Sequence, residues 1–360
     1  MTLFARRHVC PLAASLVLLW PMPAMADAYT LVALGILGAT PQGLSESGAN
    51  ALNSQGQVVG YSTTSGGTLA FLWDPAGGLR ALGDLPGGKA ESRALDINDR
   101  GTVVGFGNAP AGMEAFRWTE TEGMQGLGDL PGGRFQSVAN AVNVRDEVVG
   151  YSLSTLGSEA FIWDGVNGMR ALPDLAGGRA TGQALDIGNG GQVVGYGSPA
   201  RGTEATLWNG AGCLQSLGDL AGGTVGAAAQ ALSDTGVVVG YGRTATGTQA
   251  MRWDAVAGMV SLGDLAGGRV NGQALAVNAP GQVVGWSEDA AGSKAFIWDA
   301  AGGMRTLQDS VSDGSATGWT LLTATDINQR GWIVGQGLNA AGQKEAYLLV
   351  PVADVLRGLP

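Results

Sequence analysis

Acidic side chains recur at a fixed interval along this 360-residue chain. Asp84, Asp129, Asp174, Asp219 and Asp264 stand 45 residues apart, and Asp309 continues the series. Five residues after four of them comes a base, Lys89, Arg134, Arg179 or Arg269, while Thr224 breaks the series. A ring of such groups would form a charged rim able to grip a polymer or cations. The competing reading is architectural: the acid caps backbone amides or pairs with the base, and an exposed pair of this kind adds little stability. A second constellation lies where the repetition fails. The segment Asp309–Trp319 is five residues longer than its counterparts and sets Asp309, Asp313 and Trp319 together. The segment Gly38–Ser47 is three residues longer than its own counterparts. These two loops would make the asymmetric patch that a ligand requires, unless their extra length serves only to join the ends of the fold.

Several chemistries are excluded by what is missing. The single histidine, His8, falls in a leader, so the mature chain has no imidazole for Ser-His-Asp or Cys-His catalysis or for a His-based metal site. No loop holds three acids at calcium-ligand spacing. The Gly-Gly pairs lack the Gly-Lys-Ser/Thr and the helix of a phosphate loop. No cofactor is expected. Trp73, Trp118, Trp163, Trp208, Trp253 and Trp298 keep the same 45-residue step. They could stack on sugars, but a fixed strand position favours packing between repeats. If catalysis occurs, a glycosidase-like carboxylate pair drawn from Asp309 and Asp313 is its least implausible form.

Residues 1–26 read as a cleaved leader. Arg6 and Arg7 precede the apolar stretch Leu12–Trp20, and Ala24-Met25-Ala26 gives a small-x-small cleavage site. The apolar stretch is too short to span a bilayer. Without Arg6 and Arg7 the 20 basic residues become 18 against 30 acidic ones, a formal charge of −12. That balance argues against nucleic acid or anionic lipid as a partner. Only Cys213 remains after cleavage, so stability is expected to come from burial and sheet hydrogen bonds rather than a disulfide. The expected product is a secreted or periplasmic monomer, not inserted in a membrane.

The elements that position these residues follow from the period. Val58-Val59-Gly60 recurs at 103, 148, 193, 238 and 283, and Ile333-Val334-Gly335 follows after 50 residues. Each unit reads as four short strands, as in Ala94–Asn98, Thr102–Gly107, Glu114–Trp118 and Met124–Leu130. Asn98-Asp99-Arg100-Gly101 marks a tight first hairpin, with Asp146 standing in for the glycine in the third copy. The longer Gly-Gly segment, such as Leu85–Ala94, must cross from the outer strand of one unit to the inner strand of the next. This phase leaves a spare outer-type strand at Tyr29–Leu34 and a last unit without one. The expectation is all-β: a seven-bladed β-propeller of four-stranded blades over 27–351, closed by the N-terminal strand pairing with the last blade, and a tail at 352–360. Closure would remove open sheet edges.

The consensus Leu-Gly-Asp-Leu-x-Gly-Gly, Ala-x-x-Ile-Asn-x-x-Gly-x-Val-Val-Gly and Ala-Phe-x-Trp resembles the HAF-repeat family of bacterial extracellular proteins. Ala70-Phe71-Leu72-Trp73, Ala115-Phe116-Arg117-Trp118, Ala160-Phe161-Ile162-Trp163 and Ala295-Phe296-Ile297-Trp298 carry the likeness, as does the final strand Ala346–Pro351. The family histidine before Ala-Phe is replaced by Leu69, Glu114, Glu159 and Lys294, so no role for it transfers. The resemblance implies export and a repeat fold. The expected function is that of a non-enzymatic binding or scaffold module presenting one face to a glycan, peptide or protein; a carbohydrate-active enzyme and a purely structural envelope protein are the alternatives.

Overall fold

The computed structural model describes residues 28–175, 180–209 and 213–356. The leader, Arg179 and the last four tail residues lie outside them. The chain is all-β, built from four-stranded antiparallel sheets in a propeller-like succession. In the second unit the strands are Ser92–Ile97, Val103–Ala109, Gly112–Thr119 and Gly123–Gly126, paired in sequence order. The outer strand is shorter than the sequence pattern suggests, although Leu127 N–H still donates to the Ala115 carbonyl before the crossover begins.

The Val-Val-Gly signature has a steric origin. The innermost strand Ser47–Leu52 carries a bulge between Ala49 and Ala51 opposite Val58–Thr64. The bulge presses the Gly48 carbonyl onto Gly60, where a Cβ would overlap the oxygen. The two valines are fully buried, one on each side of the sheet. Asp146 takes the turn position with φ 60°, a backbone region that Asp tolerates better than most residues.

Neighbouring units are packed through shared apolar cores. Val59, Ala70 and Leu72 of the first unit meet Ala94, Ile97, Val103, Phe116 and Trp118 of the second. Crossovers also bind backbone to backbone: Thr68 bridges Glu91, Met113 bridges Gln136, and Thr248 bridges Asn271. The last of these merges two units into one eight-stranded sheet. Strand Tyr29–Gly35 pairs antiparallel with Lys344–Pro351, Leu31 opposite Leu349 and Val32 opposite Leu348. The short helix Val352–Val355 follows, and its Asp354 accepts from the indole N–H of the buried Trp332 at 2.8 Å.

The first-hairpin asparagines do more than turn the chain. Asn98 accepts from the N–H groups of Arg100 and Thr102 within its own turn and donates to the Asn143 carbonyl of the next unit at 2.8 Å. Asn53 donates to Asn98, Asn143 to Gly188, Asn278 to Asn328, and Asn328 to Asn53, always side-chain amide to backbone carbonyl oxygen. Asn98 is buried, so Asn98→Ala removes the acceptor of two N–H groups and the bond to the next unit, leaving the Asn143 carbonyl with Asp146 N–H alone. The substitution should cost about 3 kcal/mol, measured as a lower urea midpoint at unchanged m-value.

Candidate functional site

The first hairpins converge on a pocket of about 210 Å³ lined from all seven repeats. Leu52, Ile97, Val142, Ile187, Leu232, Val277 and Ile327 form its wall, one per repeat. Asp99, Asn189, Asp234 and Gln329 stand at its rim. These polar groups are engaged with neighbours: Ser54 N–H donates to Asp99, Val144 N–H to Asn189 and Ala279 N–H to Gln329.

Below the rim lie three carboxylates that the sequence pattern did not single out, Asp96, Asp186 and Asp326. Each occupies the inner-strand position held by Ala51, Ala141, Ala231 and Ala276 in the other repeats. One oxygen of each accepts from the N–H of the following residue. The other reaches the next unit: Asp96 accepts from Val142 at 2.8 Å, Asp186 from Leu232 at 2.7 Å and Asp326 from Leu52 at 2.9 Å. Burial raises all three carboxyls, to about 7, 6 and 7, against the lowering effect of those amides. Repulsion adds to the rise: Asp96 feels both Asp186 and Asp326, so the three face a common interior. Three acids of this kind escape a periodicity search, because four repeats carry alanine instead.

The same hairpin face holds a larger groove of about 780 Å³ between the first two units. Gln55, Gln57, Asp74, Asp99, Arg100, Glu120 and Trp118 line it. Arg80 pairs with Glu120 across the groove and lies 5.3 Å over the Trp118 ring. Trp118, Trp208 and Trp253 are buried and Trp73, Trp163 and Trp298 half-buried within the cores, the packing role.

The residues read from sequence lie on the opposite face. Asp313 accepts from Ser315 Oγ at 2.5 Å, from the Ser315 amide at 2.9 Å and from Thr30 Oγ1 at 2.7 Å, and these bonds hold its carboxyl below the usual range. Ser315 Oγ in turn accepts from Leu31 N–H. Asp309 accepts from Thr306 Oγ1 at 2.7 Å, and Trp319 packs half-buried on the last unit's core. The long crossover is thus fastened to the first strand. In the repeated rim, Asp219 accepts from the Gly226 amide and Asp264 from the Gln249 side chain. Burial raises Asp129, and burial together with Glu159 raises Asp174; Asp84 is half-buried at the equivalent turn. Lys89, Arg134 and Arg269 are exposed, and among the described residues none forms an ion pair with these acids.

Among the described residues no cluster of three His, Cys, Asp or Glu could hold a metal ion, and no helix is long and apolar enough to cross a membrane. No family model matches the chain, and no curated protein matches it. Solved structures with partial similarity include TolB from Acinetobacter baumannii, at 12% identity and TM-score 0.46, covering 81% of this chain and 79% of that one. A gluconolactonase from Xanthomonas campestris aligns at 15% identity and TM-score 0.41, covering 89% of each chain. Similarity at this level assigns neither activity nor ligand to this chain.

The raised carboxyls set a pH dependence. Asp96, Asp186 and Asp326 bind protons more tightly folded than unfolded, so the stability linked to their protonation is full below about pH 4. It is lost as pH rises through 6 to 7. Thermal melting should therefore shift to lower temperature between pH 5 and pH 8, and Asp96→Asn should flatten the slope. A wild-type melting temperature that climbs across that interval would contradict the assignment.

Proposed function

We propose that the chain is an exported, non-enzymatic binding module built as a closed seven-bladed β-propeller, which engages a glycan, peptide or protein at the groove between its first two blades. Support for the ring comes from one recurring clip. Ser92 Oγ accepts from Ala70 N–H and donates to Gly83 O, and Ser137 Oγ does the same with Ala115 and Gly128. Ser47 makes the equivalent pair of bonds with Ala346 and Gly35. Strand Tyr29–Gly35 therefore stands in the outer position of the last blade. Val32→Cys with Leu348→Cys, placed directly opposite, should form a disulfide that slows unfolding; a pair that stays reduced under oxidation would remove the closure.

The groove carries the binding reading. It departs from the repeat, is large enough for a small ligand or a chain segment, and is lined by planar amide, carboxylate and guanidinium groups that can orient hydroxyl and peptide groups. The crossover carboxylates do not favour hydrolysis: a glycosidase needs an acid that keeps its proton near neutrality, and Asp313 is shifted the other way. In a screen of glycans and envelope proteins, Gln55→Ala with Arg100→Ala should weaken a captured ligand at least about tenfold, the worth of one or two hydrogen bonds. Binding unchanged in that variant but lost on replacing Asp313 and Trp319 would move the site to the crossover face.

A further inference from the structure

The residue immediately after Val-Val-Gly has its own periodicity: Tyr61, Phe106, Tyr151, Tyr196, Tyr241 and Trp286, then Gln336 in the last unit. Each lies on a second strand opposite an inner-strand residue: Gly48, Arg93, Val138, Gln183, Ala228, Gln273 and Thr323 respectively. All seven are half-buried, unlike the fully buried phenylalanines Phe71, Phe116, Phe161 and Phe296 of the cores.

The direction of Tyr61 is fixed by contacts from both sides. The Tyr61 ring crosses Gly48, where a Cβ would sit 2.7 Å from Cε1. Its hydroxyl accepts from Gln336 Nε2 of the last unit at 3.1 Å, while Arg93 of the second unit lies over its ring at 4.2 Å. Only a ring that has passed in front of its own inner strand can meet both flanking units. Burial raises the Tyr196 hydroxyl, and the nearby hydroxyls of Tyr241 and Tyr151, on the units after and before it, add to the rise, so the three phenols lie close to one another. The other rings share the strand register and half-burial of Tyr61, so in a closed ring six aromatic rings and one amide would form a collar around the passage enclosed by the inner strands, at the crossover end. Asp96, three residues along the strand from Arg93, stands about 10 Å deeper, with Asp186 and Asp326 at the same level.

The collar's own chemistry names its guest. One ring already holds a cation, the Arg93 guanidinium, on its face; among the described residues no cation lies over the other five. Aromatic faces carry negative potential, and several around one point form a cage for a large, weakly hydrated cation. The chain's formal charge of −10 steers cations toward it. We propose that the collar binds an organic cation of the alkylammonium class, quaternary ammonium above all, with the charge among the rings of Tyr151, Tyr196, Tyr241 and Trp286. This site rests on the closed-ring reading but not on the hairpin-face groove, at the other end of the molecule.

The test is calorimetric titration of the full folded chain with choline, with its neutral isostere 3,3-dimethylbutan-1-ol and with maltotriose. Choline should bind, and the neutral alcohol should bind at least about tenfold more weakly, since cage and charge each contribute on that scale. Tyr196→Leu with Tyr241→Leu should weaken choline at least tenfold, while Gln55→Ala with Arg100→Ala leaves it unchanged. Choline should also shift Trp286 fluorescence in the unmodified protein, which keeps the test open if the double tyrosine variant fails to fold. Affinity should fall from pH 8 to pH 5, as Asp96, Asp186 and Asp326 take up protons; Asp234, near Asp186, and Arg93 are the other charges facing this lining. Equal binding of the neutral alcohol, binding of maltotriose alone, or no choline heat and no fluorescence change would each overturn the proposal. If the Val32–Leu348 cysteines cross-link and choline still fails, the ring stands and the collar site falls.

Discussion

A hairpin carbonyl at the inner end of each repeat accepts one N–H from its own turn, and in five repeats the asparagine of an adjoining repeat supplies a second donor. That single donation recurs from Asn53 to Asn98, Asn98 to Asn143, Asn143 to Gly188, Asn278 to Asn328 and Asn328 to Asn53. A repeat of this size cannot bury its apolar surface alone, so stability depends on the joints between repeats. The asparagine makes those joints directional: its amide donates outward while its oxygen holds its own turn. The two places where the residue changes, Gly188 and Ser233, show how the constraint is met otherwise. Asp186 reaches Leu232 across the first of these joints. Across the second, the strand Gly267–Val277 bridges Thr248 and fuses two sheets.

Elements repeated in every unit are consequently engaged in construction. Of the rim acids, Asp219 binds a crossover amide and Asp264 a side chain, the tryptophans fill cores, and Asp313 fastens a long crossover to the first strand. Chemistry available to a partner is found where the repeat departs from itself, or where a repeated side chain escapes the cores. The groove beside Gln55 and Arg100 is of the first kind, and the half-buried aromatics beginning with Tyr61 are of the second.

Much of this was legible in the sequence because the fold is written in its period. Val-Val-Gly, Asn-x-x-Gly and Ala-Phe-x-Trp fix the strands, the turns and the phase, down to the unusual backbone of Asp146. What stayed hidden depends on contacts between units. Asn98 reads as a turn former, and nothing local says that its amide crosses to Asn143. Ser47, Ser92 and Ser137 look like ordinary strand residues until their hydroxyls are seen joining two sheets. Tyr61 and its counterparts were visible at the right spacing, but only three-dimensional placement separates them from core aromatics. The patch drawn from Asp309, Asp313 and Trp319 followed from loop length, which marks a departure from the repeat without saying whether a ligand or a neighbouring strand occasioned it.

The distribution of the interior acids completes the physical picture. Desolvation disfavours a buried carboxylate, and a second one nearby disfavours it further. Asp96, Asp186 and Asp326 lie in the second, fourth and seventh repeats, so no two belong to consecutive units, with alanine at the intervening positions. Each obtains two backbone donors, one of them from a unit whose own position is alanine. Placing acids in consecutive repeats would bring like charges closer and leave a carboxylate, rather than an alanine, beside the amide being capped. Raised carboxyl values near 7 show that even the spaced arrangement is under electrostatic load at neutral pH. The joint thus gains a specific bond between units at the expense chiefly of desolvating a carboxylate, with charge repulsion added, and a cation entering from the aromatic end would relieve that repulsion.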